Sequence, residues 1–264
     1  MMKRWAVDNA SSWTEVPQVI RTGGALPEAW DKLFGPLRAT SPSGAMVVGQ
    51  IGQSLDGRVA TLSGHSHYIN GAAGLDHLHR LRSVVDAVVV GAGTVRADDP
   101  QLTVRRVVGP NPVRVVLDPR GSLSVGARVF AADGTRRIVF TRDGTKSRTE
   151  RDIETVALAC SAELLDPAAI LEALAVRGLR RVLVEGGART VSHFLAAGCL
   201  DRLHVVVAPV ILGSGIPSLA LPPIAHMTDA LRVPIKAHLL GDEVLFDCDL
   251  SARRAPAGAA NRST

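Results

Sequence analysis

The sequence predicts an α/β protein, a mostly parallel sheet that ends in an antiparallel hairpin. Three observations carry this. Short Val- and Leu-rich runs alternate along the chain with stretches of helical period. Hydrophobic residues make up 46% of the 264 positions and aromatics only 3%, so the core has to be built from Val, Leu, Ala and Ile. That composition suits strands covered by helices on both faces. Finally, "IKAHLLGDEVLFDCDL" (235–250) is two alternating runs around Gly241-Asp242, a hairpin signal.

The elements follow in order. "AMVVGQIG" (45–52) reads as a strand, and "NGAAGLDHLHRLRS" (70–83) as a helix with Leu75, Leu78 and Leu81 on one side. "DAVVVGAG" (86–93), "VRVVLD" (113–118), "RRIVFT" (136–141) and "ETVALA" (154–159) are strands. "DPAAILEALAVRG" (166–178) is a helix: Asp166 can cap it, Pro167 suits its first position, and Gly178 stops it. "RRVLVEGG" (180–187) is a strand leading into a helix over 188–197, with Gly198 as its stop. "RLHVVVAPVILG" (202–213) is expected to be one long strand. Residues 1–43 hold all three tryptophans with little periodicity; they form an extension expected to pack its aromatics on the domain or on a partner. Residues 44–250 form the domain, and 251–264 an expected disordered tail.

Charge narrows the function. The net charge is +5, but three of those charges lie in 251–264, and no basic stripe with interleaved aromatics follows. A nucleic-acid partner is not expected. No apolar run reaches the ~18 residues of a membrane span, so a soluble cytoplasmic protein is expected. Cys160, Cys199 and Cys248 lack paired spacing and read as small core residues.

In an open α/β sheet, ligands settle outside the carboxyl ends of the strands, and three loops there are loaded. "VLVEGGARTVSHFL" (182–195) ends a core strand on Glu185, then sets Gly186-Gly187 before a helix. This fits either an ordinary turn or a phosphate site at a helix N-terminus. A carboxylate at the end of a buried strand needs a partner. "GAGTVRADDPQLTVR" (91–105) offers Thr94 as a cap, Asp98-Asp99 as a turn or acid/base pair, and Arg105 as a phosphate clamp or a solvated side chain. "QSLDGRVATLSGHSHYIN" (53–70) is a DG turn and a polar loop. His65 and His67, like His77 and His79, are spaced two apart; loop and helix-surface positions are favoured over a metal site, and no metal is expected.

Together, "SLDGRVATLSGHSHYI", "DAVVVGAGTVRADDPQLTVR", "VEGGARTVSHFL" and "VAPVILG" resemble the reductase domain of the bifunctional riboflavin-biosynthesis deaminase–reductase, over roughly 44–250. The resemblance implies a dihydrofolate-reductase-like three-layer fold, a homodimer, and NADPH as cofactor. It implies reduction of the ribosylamino group of 5-amino-6-(5-phosphoribosylamino)uracil. Matching positions for substrate are Ser66, Arg82, Leu102, Arg105 and Glu185. Those for NADPH are Gly52, Tyr68, Thr94, Asp98, Gly187, Ala188, Arg189, Thr190, Val191 and Ser192. Glu185 and Asp98 would serve the chemistry, Glu185 orienting the substrate and Asp98 assisting proton movement. Arg120 is an added candidate for the cofactor 2′-phosphate. Three departures stand out, the mildest being Tyr68 where the family often has Trp. No H-x-E with P-C-x-x-C, the deaminase signature, occurs in the sequence, and Gln50 stands where the family often has Lys. Alternatives are a related reductase of another pyrimidine or pteridine, such as the undeaminated precursor or dihydrofolate, and a non-catalytic nucleotide-binding protein.

Overall fold

A computed structural model describes residues 4–5 (backbone only), 13–38, 44–66, 69–145, 152–160 and 163–255. Strands are β1 (Arg4–Trp5), β2 (Met46–Ser54), β3 (Arg58–Thr61), β4 (Ala87–Gly91), β5 (Val113–Leu117) and β6 (Arg137–Arg142). They continue with β7 (Ile153–Leu158), β8 (Arg181–Val184), β9 (Arg202–Ala208), β10 (Gly215–Pro217), β11 (Ile235–Leu240) and β12 (Glu243–Asp249). Helices are α1 (Val16–Thr22), α2 (Glu28–Phe34), α3 (Ala72–Val84), α4 (Ala92–Asp98), α5 (Pro167–Val176) and α6 (Ala188–Ala196).

Ten strands form one sheet in the order β1-β11-β12-β9-β2-β8-β4-β5-β6-β7. From β9 to β7 every pairing is parallel. The hairpin β11–β12 joins antiparallel to β9, in the register Gly241-Asp242 predicts. This is the dihydrofolate-reductase-like α/β architecture. Alternation along the buried strands splits the core in two. Val48, Val88, Val90, Val116 and Val206 face α3, α4 and the N-terminal helices. Val47, Val89, Val115, Val182 and Val184 face α5 and α6. Asp166 caps α5 by accepting from the Ala168 N–H at 3.0 Å, as the sequence predicts.

Several expectations need correcting. The strand over 202–213 stops at Ala208. Pro209 has no N–H for the ladder, and the chain turns there, the Leu55 N–H donating to the Val210 carbonyl at 2.7 Å. A small two-stranded sheet, β3 with β10, was not foreseen; each strand is too short to show a period. The N-terminal extension supplies an outermost strand, β1, and two helices, and its Trp13, Trp30 and Phe34 are buried in the α3-side core. The expected tail is ordered over 251–255: a 3-10 turn runs over Ser251–Arg253, and the Ala255 N–H donates to the Gly198 carbonyl at 2.9 Å. Residues 256–264 lie outside the described residues. His77 and His79, expected on the helix surface, are 1% and 2% exposed.

The α3 N-terminus shows how the hairpin positions the site. Its N-cap is Gly71, which has no side chain to offer. Instead Glu243 of β12, 4% exposed, accepts from Asn70 Nδ2 at 2.8 Å, the Gly71 N–H at 3.0 Å and the Gly74 N–H at 2.7 Å. A carboxylate there also meets the positive end of the helix dipole. Replacing Glu243 by Ala leaves these donors unpaired in a dry place, so Glu243→Ala should lower the unfolding free energy by about 2–3 kcal/mol. Urea unfolding with an unchanged m-value checks this; a loss under about 0.5 kcal/mol would show the cap to be unimportant.

Candidate active site

The loaded loops meet in one cavity of about 600 Å³ at the carboxyl ends of β2, β4 and β8. Gln50, Gly52, Val90 and Glu185 line it from the sheet, Leu78 and Arg82 from α3, and Thr94 and Asp98 from α4. A second cavity of about 350 Å³, between Leu195, Leu221 and Arg253, holds none of the predicted groups.

The partner that Glu185 requires is Arg82. Arg82 Nε and Nη2 donate to the two Glu185 oxygens, each at 2.7 Å, and Nη1 donates to the Thr103 carbonyl at 3.1 Å. Residue exposures are 6% and 4%. Two residues predicted as separate substrate contacts thus form one bidentate pair on the cavity wall. Arg105 is exposed beside them; its backbone N–H donates to His79 Nδ1 at 3.0 Å and its Nη1 to Thr103 Oγ1 at 3.3 Å. Burial lowers the Arg105 pKa, and the neighbouring Arg82, Arg128 and Arg106 charges lower it further. This crowding of like charge favours an anion. Leu102 is 2% exposed and sits at φ +55°, a left-handed conformation unusual for Leu.

Thr94, expected as a helix cap, instead lies inside α4, whose N-cap is Gly91. Its hydroxyl accepts from the Gly187 N–H at 2.7 Å, joining the two glycine loops. Gly186 sits at φ +95°, and a Cβ there would lie 2.9 Å from Thr94 Oγ1. A Cβ on Gly93 would meet nothing within 4 Å. The α6 N-terminus, with Ala188 on the cavity wall, therefore opens onto unfilled space. Asp98 and Ser66 also line the cavity, Ser66 Oγ donating to Asp98 Oδ1 at 3.1 Å. Asp98 does not act as a pair with Asp99, which turns away at φ 39° to accept from the Arg128 N–H at 2.8 Å. Gly52 leaves no room for a Cβ beside Asn70 Oδ1.

Other predicted positions lie elsewhere. Val191 is fully buried in the α6-side core, so its side chain does not face the cavity. Ser192 Oγ is occupied, accepting from the Ala220 N–H at 2.8 Å. Thr190 Oγ1 lies over Gly91, where a Cβ would stand 2.5 Å away. Arg189 and Arg120 are both exposed and share Glu163, at 2.5 and 2.9 Å. Tyr68, like His67, lies outside the described residues. Sequence reading missed Asp56 and the buried place of His79, and it singled out Gln50 only as a departure from the family's Lys. The Asp56 carboxylate accepts from Ser54 Oγ at 2.6 Å and from the backbone N–H groups of Leu212 and Gly213 at 3.1 and 2.7 Å. These bonds, the serine's first, hold its pKa at about 2 and fasten the DG turn to the loop after β9. Gln50, 8% exposed, puts an amide on the cavity wall.

Residues 45–244 match the RibD C-terminal domain family. The chain belongs to this family. It is 33% identical over 201 residues to the 2,5-diamino-6-ribosylamino-4(3H)-pyrimidinone 5′-phosphate reductase of Methanothermobacter thermautotrophicus, covering 74% of this chain and 93% of that one. It is 34% identical over 199 residues to the riboflavin biosynthesis protein RibD of Aquifex aeolicus, covering 74% of this chain and 54% of that protein. The chain thus spans about half the length of that relative. A crystal structure of a deaminase/5-amino-6-(5-phosphoribosylamino)uracil reductase from Thermotoga maritima superposes with a TM-score of 0.67 at 32% identity, covering 78% of this chain and 56% of that one. Acinetobacter baumannii RibD superposes with a TM-score of 0.70 at 27% identity, over 89% and 67%. Among the described residues no helix is long and apolar enough to cross a membrane.

Two predictions follow from the geometry. Breaking the buried pair from one side strands a charge, so Glu185→Leu or Arg82→Met alone should cost about 3–5 kcal/mol of stability. The double variant should regain much of that loss, and a denaturant double-mutant cycle reads the coupling; additive losses would show that the pair is not coupled. The second concerns pH. Burial first, then Arg82, Arg105 and Arg106, depress His79 to about 3. An unfolded chain takes up that proton near pH 6.5, so stability present at pH 7 is lost as pH falls from about 6.5 towards 3. His79→Gln keeps an acceptor for the Arg105 N–H but removes the titration. Its urea midpoint should fall less steeply between about pH 6 and pH 4; parallel curves would contradict the assignment.

Proposed function

We propose that this chain is an NADPH-dependent reductase of the ribosylamino group of 5-amino-6-(5-phosphoribosylamino)uracil. The observation that carries the reading is the convergence, in one cavity, of a buried Arg–Glu pair, an acid with a hydroxyl partner and a glycine loop, with the exposed Arg105 beside the pair. A second reading takes the undeaminated 2,5-diaminopyrimidinone as substrate. It is favoured by the match to 93% of a relative named for that compound. A cytoplasmic homodimer belongs to the reading, and Ile211, Ile224 and Met227 are apolar side chains exposed in the single chain.

NADPH fits the residues present. Gly93 leaves room for a pyrophosphate to approach the backbone, and the N-terminus of α6, beyond the Gly187 N–H that Thr94 takes, presents N–H groups and a positive dipole end to it. Bound there, the cofactor would supply the hydride that reduces the sugar C1′. Arg105 and its cationic neighbours would hold the ribose phosphate, with bidentate geometry available to a guanidinium. A carboxylate has about four acceptor sites, so Glu185 keeps capacity for ribose hydroxyls while Arg82 fixes its orientation. Asp98, hydrogen-bonded to Ser66, is placed to hold or pass a proton. Leu102, with Leu78 and Ile216, would keep water from the reacting carbon.

The test is NADPH consumption by the purified protein with each phosphoribosyl pyrimidine and with dihydrofolate. Turnover of a phosphoribosyl compound is expected, with KM raised roughly tenfold or more in Arg105→Ala, as for a lost charge-assisted bond. Asp98→Asn should lower kcat by roughly a hundredfold, the usual scale for losing an acid–base group. NADPH binding without oxidation by either phosphoribosyl compound would sink the assignment.

A further inference from the structure

The family match begins at residue 45, yet residues 13–38 are bound tightly to the helix that carries Arg82. We propose that this N-terminal segment is a positioning strap for the phosphate end of the site. It sets α3 and the 103–109 loop so that Arg82 and Arg105 face one anion together. The inference rests on the functional reading above for the identity of that anion, a sugar phosphate.

The strap holds α3 through Arg80. That residue is 7% exposed, and its guanidinium stands 5.6 Å from the Trp13 ring and 4.9 Å from the Trp30 ring. Its Nε makes no hydrogen bond, and it has no ion pair among the described residues. The two indole rings, with the charge of Asp76, offset its desolvation. The indoles are fixed by their own packing. Trp13 lies 4.8 Å from Trp30 and 4.9 Å from Phe34, all edge to face, and Phe34 reaches His77 of α3 at 5.8 Å. Arg21 Nη2 adds a bond to the Ser83 carbonyl at 3.3 Å. Residues 77, 80 and 83 thus come under the strap at successive turns, while Arg82 points to the cavity.

The same segment holds the loop. Residues 103–109 have no regular structure. Their ties run to α3, through Arg82 to the Thr103 carbonyl, the Arg105 N–H to His79, and Arg106 Nε to Asp76 Oδ1 at 2.6 Å. The other tie runs to the strap: Trp13 Nε1 donates to the Val108 carbonyl at 3.0 Å. Val108 itself is 64% exposed, so this bond adds no core burial and acts on the loop's path. A Cβ on Gly109 would stand 2.4 Å from Ser83 Cβ and 3.6 Å from Pro17 of α1, so none could fit. Trp13 therefore touches both carriers of the cationic edge. It is a positioning residue, not a catalytic one.

Trp13→Phe keeps an aromatic ring and removes the Nε1–H. The probe is ribose 5-phosphate, its binding read by calorimetry, with NADPH binding, KM, kcat and amide exchange over 105–108 measured beside it. The expected result is a roughly three- to tenfold weaker ribose 5-phosphate Kd and a matching rise in KM, the scale of one hydrogen bond. Amide exchange at 105–108 should quicken, while kcat and the NADPH Kd stay within about twofold. Unchanged phosphate affinity, or an equal fall in every parameter as expected of damaged packing, would overturn the strap. So would a wild type that does not bind ribose 5-phosphate. If the wild type binds it but oxidises no NADPH with either pyrimidine, the functional reading falls, and the change in Kd still decides on the strap. Should Trp13→Phe not fold, Arg80→Met is read by the same ratios.

Discussion

The carboxyl edge of this sheet is organised around one buried ion pair, Arg82 with Glu185. Taking both charges out of water costs several kcal/mol each. That cost is met only when the geometry is bidentate and the leftover donors are used. The bidentate geometry is present, and Arg82 Nη1 gives one further N–H to the Thr103 carbonyl. The end of β8, the last turns of α3 and the start of the 103–109 loop therefore cannot shift independently. A strand that ends on a carboxylate looks costly in the sequence. In the fold it is the fixed point to which the cationic loop is referred.

The same logic runs along all of α3. The helix is poor in apolar residues for one so buried, with His77, His79, Arg80, Arg82 and Ser83 all inside. Each polar group is met by a different element. Glu243 of β12 takes the N-terminal N–H groups, and His77 Nε2 meets His204 Nδ1 of β9 at 3.0 Å. His204 in turn stands 3.2 Å from Asp247, which accepts two bonds from Arg202. Burial drives the His77 pKa well down, with His204 and Arg80 adding to it. A neutral His77 can hold its place against His204 without charge repulsion. Polar fastening of this kind specifies rotation and register more narrowly than a greasy stripe would, because each bond has one partner.

This explains which parts of the molecule were legible in the sequence. Strands such as 87–91 and 182–184 are short apolar runs that glycines close off, so composition alone reveals them. Asp166-Pro167 and Gly241-Asp242 carry local stereochemistry, and local signals survive folding. What failed depended on distant partners. A surface position for His77 and His79 follows from the 3.6 period only if polar means exposed, and here β9 and the 105 loop supply the partners. The long strand at 202–213 was broken by Pro209 and by Asp56, a residue some 150 positions earlier. Arg82 and Glu185 were both singled out, but nothing in a linear reading says that two functional positions 103 residues apart will bind each other. Val191 and Ser192 were carried along by their motif, while helix periodicity alone already turns Val191 away from the loop that precedes it.

The glycine pair shows the limit of reading a motif as a ligand site. Gly186-Gly187 invites the inference that a ligand must come close, and the open space at Gly93 supports it. Yet an internal reason for the glycines exists as well. Gly186 takes a left-handed conformation that side chains disfavour, and a Cβ there would press on Thr94. Gly187 gives its N–H to the Thr94 hydroxyl, so that donor is not offered to a phosphate. Thr94 belongs to the other glycine loop, 93 residues earlier. The two loops are therefore one mechanical unit, closed by a single hydroxyl, and each sequence motif is half of it. Where the motifs occur together in this order, their joint presence says more about the site than either composition does, because the fold needs both halves before any ligand arrives.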